Sequence, residues 1–174
     1  MKFLCKTITA DVPNANGNIY SRECLDTVVK DFRKSSKMIP LYASINDAQH
    51  AASNGNNPER MAGYVTEMNI KDNQLIVKCS LAQTNMGDIV KALSGAIKLG
   101  DLAIAPLMIG NMYKDLDPTN DTNEIDPNGL ILISCALMPL DDPRVRKLYY
   151  KKTTVIEDAH KKVQPKSKKK SKKK

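Results

Sequence analysis

The sequence predicts an α+β fold with a mostly antiparallel sheet or small β-barrel and two main helices. Three observations support this fold class. Strand-length apolar segments dominate the chain, only two segments have the residue spacing of an amphipathic helix, and apolar residues make up 41% of the 174 residues. That apolar content suffices for one core, which must be largely aliphatic because the chain has no Trp and two Phe.

The first elements follow from alternation, a turn signal and a helix cap. MKFLCKTITADV alternates and predicts a strand. PNANGNIY predicts a turn, because Asn16-Gly17 favours positive φ. Ser21 is placed as an N-cap for the helix SRECLDTVVKDFRKS, whose apolar positions have helical spacing: Leu25, Val28, Val29 and Phe32.

The next segments predict a strand, a loop and a hairpin. MIPLYASI has the length of a short strand, whereas NDAQHAASNGNNPER is polar and rich in Asn and Ser, which predicts a loop. In MAGYVTEMNIKDNQLIVKCSLA two alternating halves flank Lys71-Asp72-Asn73, which predicts a β-hairpin.

A second helix and an edge strand follow. TNMGDIVKALSGAIKLG begins with a Thr/Asn cap and ends at Gly100, a plausible C′ residue. Its apolar stripe consists of Ile89, Val90, Leu93 and Ile97. DLAIAPLMIGNMY predicts a strand, and Pro106 favours an edge position or a bulge because proline cannot donate to a ladder.

The last segments complete the predicted domain. KDLDPTNDTNEIDPNG predicts an acidic loop, and the continuous apolar run GLILISCALMPL predicts a buried central strand. DDPRVRKLYYKKTTVIEDAHKK predicts a short helix or a partly ordered extension. We therefore expect a domain over residues 1–150, followed at 151–174 by an extension and a disordered Lys-rich tail.

The positive charge is concentrated in that tail. Residues 161–174 contain nine Lys and no acidic residue, and subtracting them from the net charge of +8 leaves −1 for residues 1–160. A nearly neutral body argues against nucleic-acid binding by the domain. The tail suits nucleic acid, an acidic protein surface or an anionic membrane, or it is solvated without a specific partner.

Cysteine spacing and hydropathy exclude several classes of protein. Cys5, Cys24, Cys79 and Cys135 form no CxxC pair and have no His at ligand spacing, so we expect neither a zinc site nor a cofactor. We expect reduced thiols in a cytoplasm. The N-terminal apolar run is too short for a signal peptide, no apolar window is long enough to span a membrane, and GxGxxG and Walker patterns are absent.

Four segments in order resemble the prohead proteases of tailed bacteriophages, capsid-maturation serine proteases related to herpesvirus assemblin. They are NANGNIYSRECLDTVVKDF, the His50 loop followed by a Gly-Tyr-Val-Thr-Glu strand, TNMGDIVKALSGAIKLG with Asn85 in place of proline, and ISCALMPLDDPRV. The resemblance covers residues 1–150 and implies a hydrolase fold that acts in virion assembly.

The resemblance also implies site residues. The family's catalytic His lies in the loop before the hairpin, which corresponds to His50. Its nucleophilic Ser lies in a Leu-Ser-Ile-Gly pattern, and here Leu102-Ala103-Ile104-Ala105 stands there, so Ala103 occupies the nucleophile position. Alanine has no group that can attack a carbonyl. The chain is therefore a natural inactive homologue, a Ser→Ala variant, or an enzyme whose nucleophile has moved.

Other residues supply alternatives for a moved or incomplete site. Ser94, Ser134 and Cys135 are the nearest candidate nucleophiles, with Cys135 the alternative on the late strand. Asp47 either orients His50 or caps a turn. Gly100 and Asp101 offer backbone amides for an oxyanion hole, or else a plain helix end. His160 lies beside the Lys tail and has no predicted role.

The resemblance implies a role in prohead assembly and maturation in the host cytoplasm, within the prohead or virion. The expected partners are phage scaffold and major capsid proteins, which the chain would cleave if it is active. The alternative is a catalytically inactive structural or scaffold-binding protein of the same fold. A nucleic-acid-binding protein that acts through its tail is a third possibility, and homo-oligomerisation stays open.

Overall fold

The computed structural model describes residues 1–14, 17–96, 102–113, 122–139 and 154–156. The helices are α1 (Arg22–Lys34), α2 (Ile45–Asn54) and α3 (Asn85–Ala96), with a short 3₁₀ helix at Pro58–Arg60. The strands are β1 (Lys2–Thr9), β2 (Asn18–Ile19), β3 (Pro40–Tyr42), β4 (Met61–Lys71), β5 (Gln74–Leu81), β6 (Leu102–Ile109), β7 (Asn123–Glu124), β8 (Ile131–Pro139) and β9 (Thr154–Ile156).

One curved sheet organises the fold. Its strand order is β6-β8-β3-β4-β5-β1-β9, and every pairing within it is antiparallel except that of β3 with β8. The sheet curls until β6 meets β1, where the backbone N–H of Ile104 donates to Cys5 Sγ at 3.5 Å. The result is a nearly closed barrel, which confirms the predicted α+β class.

Helix α1 forms as its sequence predicts. The Ser21 side chain caps it by accepting a hydrogen bond from the Cys24 amide at 3.2 Å. The helix buries Leu25, Val28 and Val29 in the main core, and the predicted fourth position, Phe32, is partly buried against that core. An apolar stripe at helical spacing therefore accounts for both the position of this helix and the face that it buries.

Helix α2 lies where the sequence predicts a loop, so this part of the prediction is wrong. Ser44 Oγ accepts from the Asp47 amide at 3.2 Å and donates to Asp47 Oδ2 at 2.8 Å, a reciprocal cap. The helix buries only Ala48 and Ala51 and ends before Gly55, whose φ of 89° suits glycine. A third helix is thus added to the two that were predicted.

The β4–β5 hairpin is confirmed, with a tight turn. Asp72 and Asn73 have φ of 50° and 60°, so both adopt the left-handed conformation that two-residue hairpin turns require. Lys71 ends β4 rather than joining the turn.

The predicted second helix is confirmed over residues 85–96, with Thr84 Oγ1 accepting from the Gly87 amide at 3.0 Å. Within its predicted stripe Val90 is buried, but Ile89 is 50% exposed, so that part of the stripe is wrong. Ile97 and Gly100 lie outside the described residues.

Strands β6 and β8 confirm their predicted positions. Strand β6 is at the edge of the sheet and its ladder has an irregularity just after Pro106, between Leu107 and Met108, whereas β8 lies between β6 and β3. Cross-strand partners share a face. Ala103, Ala105 and Leu107 pair with Met138, Ala136 and Ser134 on one face, and Ile104 and Pro106 pair with Leu137 and Cys135 on the other.

Two short pieces differ from expectation at the end of the chain. In the predicted acidic loop, β7 pairs in parallel with β2. In the predicted helix or extension, β9 pairs with β1 and so adds a strand to the sheet beyond residue 150. Residues 140–150 and the Lys-rich tail lie outside the described part of the chain.

Candidate functional site

The predicted nucleophile position is closed off from solvent. Ala103 is 0% exposed and lies on the face of β6 and β8 that α2 covers. It belongs to a second, small hydrophobic cluster, whose buried members are Tyr42, Ala48, Ala51, Met61, Ala103, Ala105, Ala136 and Met138. Five of these eight side chains are single methyl groups, so the helix can approach the two strands closely.

Helix α2 brings the His50 segment to the Ala103 strand, but it turns the imidazole away. Ala48 and Ala51 make the contact with the β6–β8 face, and His50 is exposed. At 100° per residue, a side chain two positions after Ala48 and one before Ala51 lies outside their shared face. The backbone carbonyl of His50 accepts from Asn54 Nδ2 at 3.1 Å. The two segments therefore lie against each other, while a catalytic role for His50 stays a prediction.

Asp47 is held at the start of α2 by two hydrogen bonds. Its Oδ2 accepts from Ser44 Oγ at 2.8 Å, and its Oδ1 accepts from Arg60 Nη1 at 2.8 Å. The Ser44 hydrogen bond, with help from Arg60, holds the pKa of this carboxyl below its usual value. These hydrogen bonds place Asp47 in the capping role, and a further role in orienting His50 stays a prediction.

Ser134 is the hydroxyl that shares a face with Ala103. It is 0% exposed, and its Oγ has no hydrogen-bond partner among the described residues. It pairs with Leu107 in the ladder that also joins Ala105 to Ala136. An unpaired hydroxyl with no base beside it is not activated for nucleophilic attack.

Cys135 points to the opposite face of β8. It is 0% exposed and packs in the main core with Cys5 and Cys79. Burial, and then the neighbouring Cys5, raise the pKa of its thiol far above the ordinary value. Because the thiolate is the nucleophilic form, these surroundings disfavour the alternative nucleophile that the sequence suggested.

Several predicted site residues fall outside the described atoms. They are the Ser94 side chain, the Gly100 and Asp101 amides proposed for an oxyanion hole, and His160. In the described part of the chain, no helix is long and apolar enough to cross a membrane, and no cluster of His, Cys, Asp and Glu is arranged to hold a metal ion.

The feature that sequence reasoning missed is α2 itself. Its signal was present as Ser44 followed three residues later by Asp47, a capping pattern before an alanine-rich run. Recognising this cap would have placed His50 on a helix, with two alanines left to face the sheet.

Comparison with known proteins supports the architecture and leaves the chemistry open. No family model matches the chain, and no curated protein sequence matches it. Among solved structures it is similar to the capsid assembly protease gp21 of bacteriophage T4, with a TM-score of 0.55 and 14% sequence identity. The match covers 79% of this chain and 82% of that one. The chain therefore has a fold of the phage capsid assembly protease kind.

Proposed function

We propose that this chain acts in the assembly of a phage capsid as a non-hydrolytic member of the capsid-protease fold. It would work within the prohead or virion and bind scaffold or major capsid proteins. The fold likeness to the T4 protease over 79% of the chain supports the process. The buried methyl group of Ala103 beneath α2 supports the claim that the chain does not hydrolyse peptides.

Two features of the β6–β8 face beneath α2 argue against peptide hydrolysis there. Acyl transfer needs a nucleophile beside a base, and a surface that admits the peptide. Ala103 supplies no nucleophile and is 0% exposed, while the His50 side chain is exposed on the other side of the helix. The methyl groups of Ala48 and Ala51 lie where a substrate would have to approach.

A second candidate is a protease that uses Ser134. Its buried, unpartnered hydroxyl lies on the same face as Ala103, which is the observation that favours it. This function would require α2 to move aside and a base to approach Ser134. We rank it second because no described base contacts this hydroxyl.

The test incubates the full chain with the scaffold and major capsid proteins of its phage. Cleavage is followed by mass spectrometry and binding by co-sedimentation. The variants are Ala103→Ser and the matched control Ala105→Ser, which introduces the same hydroxyl on the same strand face. Thermal melts establish that each variant is folded.

We expect the wild-type chain to bind and not to cleave. We also expect Ala103→Ser not to cleave, because restoring the hydroxyl leaves it without a base. Cleavage by the wild-type chain would overturn the non-hydrolytic proposal, and its loss in Ser134→Ala or Cys135→Ala would identify the nucleophile. Absence of both binding and cleavage would overturn the role in capsid assembly.

A further inference from the structure

The chain contains three Asn-Gly pairs: Asn16-Gly17, Asn54-Gly55 and Asn128-Gly129. In such a pair the backbone nitrogen of glycine can attack the side-chain amide carbon of asparagine, because glycine has no Cβ to obstruct the approach. The three pairs share this local chemistry, so the surrounding structure decides which of them reacts. Asn16 itself lies outside the described residues, and Asn54 therefore serves as the structural comparison for Asn128.

Asn128-Gly129 lies in an exposed turn between β7 and β8. Both residues are exposed, and no described atom beyond the chain neighbours of Gly129 lies within 4 Å of the position that a Cβ would occupy there. The backbone N–H and Nδ2 of Asn128 both donate to Asp126 Oδ1, at 2.8 and 3.0 Å. The Gly129 N–H has no hydrogen-bond partner among the described residues. The attacking nitrogen of this pair is therefore not held by an acceptor.

Asn54-Gly55 is held at the end of α2. The Gly55 N–H donates to the Ala51 carbonyl at 2.9 Å, as a helical backbone amide does. Asn54 Nδ2 donates to the His50 carbonyl at 3.1 Å, so its side chain is restrained by about as much as that of the asparagine in the β7–β8 turn. The Gly17 N–H is likewise bound to a backbone carbonyl at 2.9 Å. The pairs therefore differ in the attacking nitrogen rather than in the group attacked.

We propose that Asn128 is a site of spontaneous deamidation in the folded chain and that the helix protects Asn54. The Gly129 nitrogen forms a bond to Asn128 Cγ, and the bond from Cγ to Nδ2 breaks. Nδ2 leaves as ammonia and takes up the proton that the Gly129 nitrogen loses. Water then adds to one of the two carbonyl carbons of the resulting succinimide ring and opens it to aspartate or isoaspartate. Either product carries a carboxylate in place of the amide.

This modification changes the approach to β8. It replaces the amide that donates to Asp126 with a second carboxylate, and isoaspartate also lengthens the backbone of the turn. Leu130, which follows the turn, is 1% exposed and packs closely against Gly110, where an added Cβ would lie 2.8 Å from Leu130 Cδ1. Because this packing leaves little room for a longer turn, we expect the deamidated chain to melt at a lower temperature.

The test incubates the full chain at mildly alkaline pH, where a backbone amide loses its proton more readily, and follows each Asn-Gly pair by mass spectrometry of peptides. A second sample is incubated in guanidinium chloride, which removes the tertiary structure and leaves the local sequences unchanged. Asn128→Gln is the matched variant, because it keeps a side-chain amide but can close only a larger ring. Thermal melts are recorded for both chains before and after incubation.

We expect Asn128 to convert at least five times faster than Asn54 in the folded chain, because freeing an amide from a hydrogen bond of about 1 kcal/mol reduces the reactive population about fivefold. In denaturant the two rates should be similar. The melting temperature should fall as the wild-type chain converts and stay constant in Asn128→Gln.

Equal rates at Asn54 and Asn128 in the folded chain would overturn the proposal. A difference that persists in denaturant would also overturn it, since the local sequence and not the fold would then set the rates. A melting temperature that does not change on conversion would overturn the predicted effect on β8.

Discussion

Ser134 shows how one buried atom can carry a stability cost without a visible function. Its hydroxyl is 0% exposed and has no partner among the described residues. Desolvating such a group without a hydrogen bond costs about 1–3 kcal/mol. Its neighbours on the same face include Ala105 and Ala136, so a methyl group would suit these surroundings at least as well.

The Ser134→Ala variant should therefore be more stable than the wild-type chain. We expect the free energy of unfolding to rise by about 1 kcal/mol, and the melting temperature by roughly 2–4 °C for a chain of this size. Ser80→Ala, at a half-buried position on β5, is the control and should change little. A destabilisation of more than about 1 kcal/mol would mean that the hydroxyl does have a partner.

At the scale of the element, α2 depends on its contacts more than on its own sequence. A ten-residue helix is marginal in isolation, and this one buries only Ala48 and Ala51. The Asp47–Arg60 pair ties its first turn to the 3₁₀ helix, and Ser44 caps it. The cap and the close packing on β6 and β8 together hold α2 over Ala103.

The Asp47→Asn variant tests this support through its pH dependence. The folded state lowers the pKa of Asp47, so the carboxylate stabilises the fold above the unfolded value of about 3.9, and this stabilisation is lost as pH falls through the folded-state value. We expect a loss of about 0.5 kcal/mol near neutral pH, because the variant keeps the Ser44 cap on its backbone amide and loses only the first-turn charge and its pair with half-exposed Arg60.

The difference between wild type and Asp47→Asn should shrink below about pH 4, as measured by urea unfolding at several pH values. Asp26→Asn is the matched control, because the ion pair of Asp26 with Arg22 is half-exposed on both sides. A pH-independent difference would contradict the role of the Asp47 charge.

At the scale of the whole molecule, a short strand extends the sheet towards the tail. The pairing of β9 with β1 brings residues 154–156 into the sheet, beyond the boundary expected at residue 150. The composition of residues 161–174 still predicts a disordered segment. The domain and its tail should therefore differ in their resistance to proteases.

Limited trypsinolysis should first remove peptides from the Lys-rich tail and leave a fragment that retains β9. Mass spectrometry should place the C-terminus of this fragment after residue 156. A first cut at Lys151 or Lys152 would show that β9 is not stably paired. A first cut between Gly63 and Leu81 would contradict a single stable domain.

The elements that the sequence predicted correctly are those with strong local signals. Ser21 and the apolar stripe after it define α1, and Asp72-Asn73 marks the hairpin turn. Pro106 indicates the edge strand, and the apolar run of β8 indicates its central position. In each case a cap, a period or a missing N–H group acts within a few residues, so no distant contact is needed to recognise it.

Tertiary structure decided what lies on which side of the sheet. Helix α2 has no long apolar stripe, so the Ser44 cap was its main local signal, and only packing on β6 and β8 decided that it buries Ala48 and Ala51. Sequence order could not place His50 on the solvent side, nor separate adjacent Ser134 and Cys135 onto opposite faces, because both depend on register. The pairing of Ile156 with Lys2 is likewise non-local. The sequence by itself determined the elements with strong local signals and the absence of a reactive group at Ala103, and long-range pairing decided what surrounds Ala103.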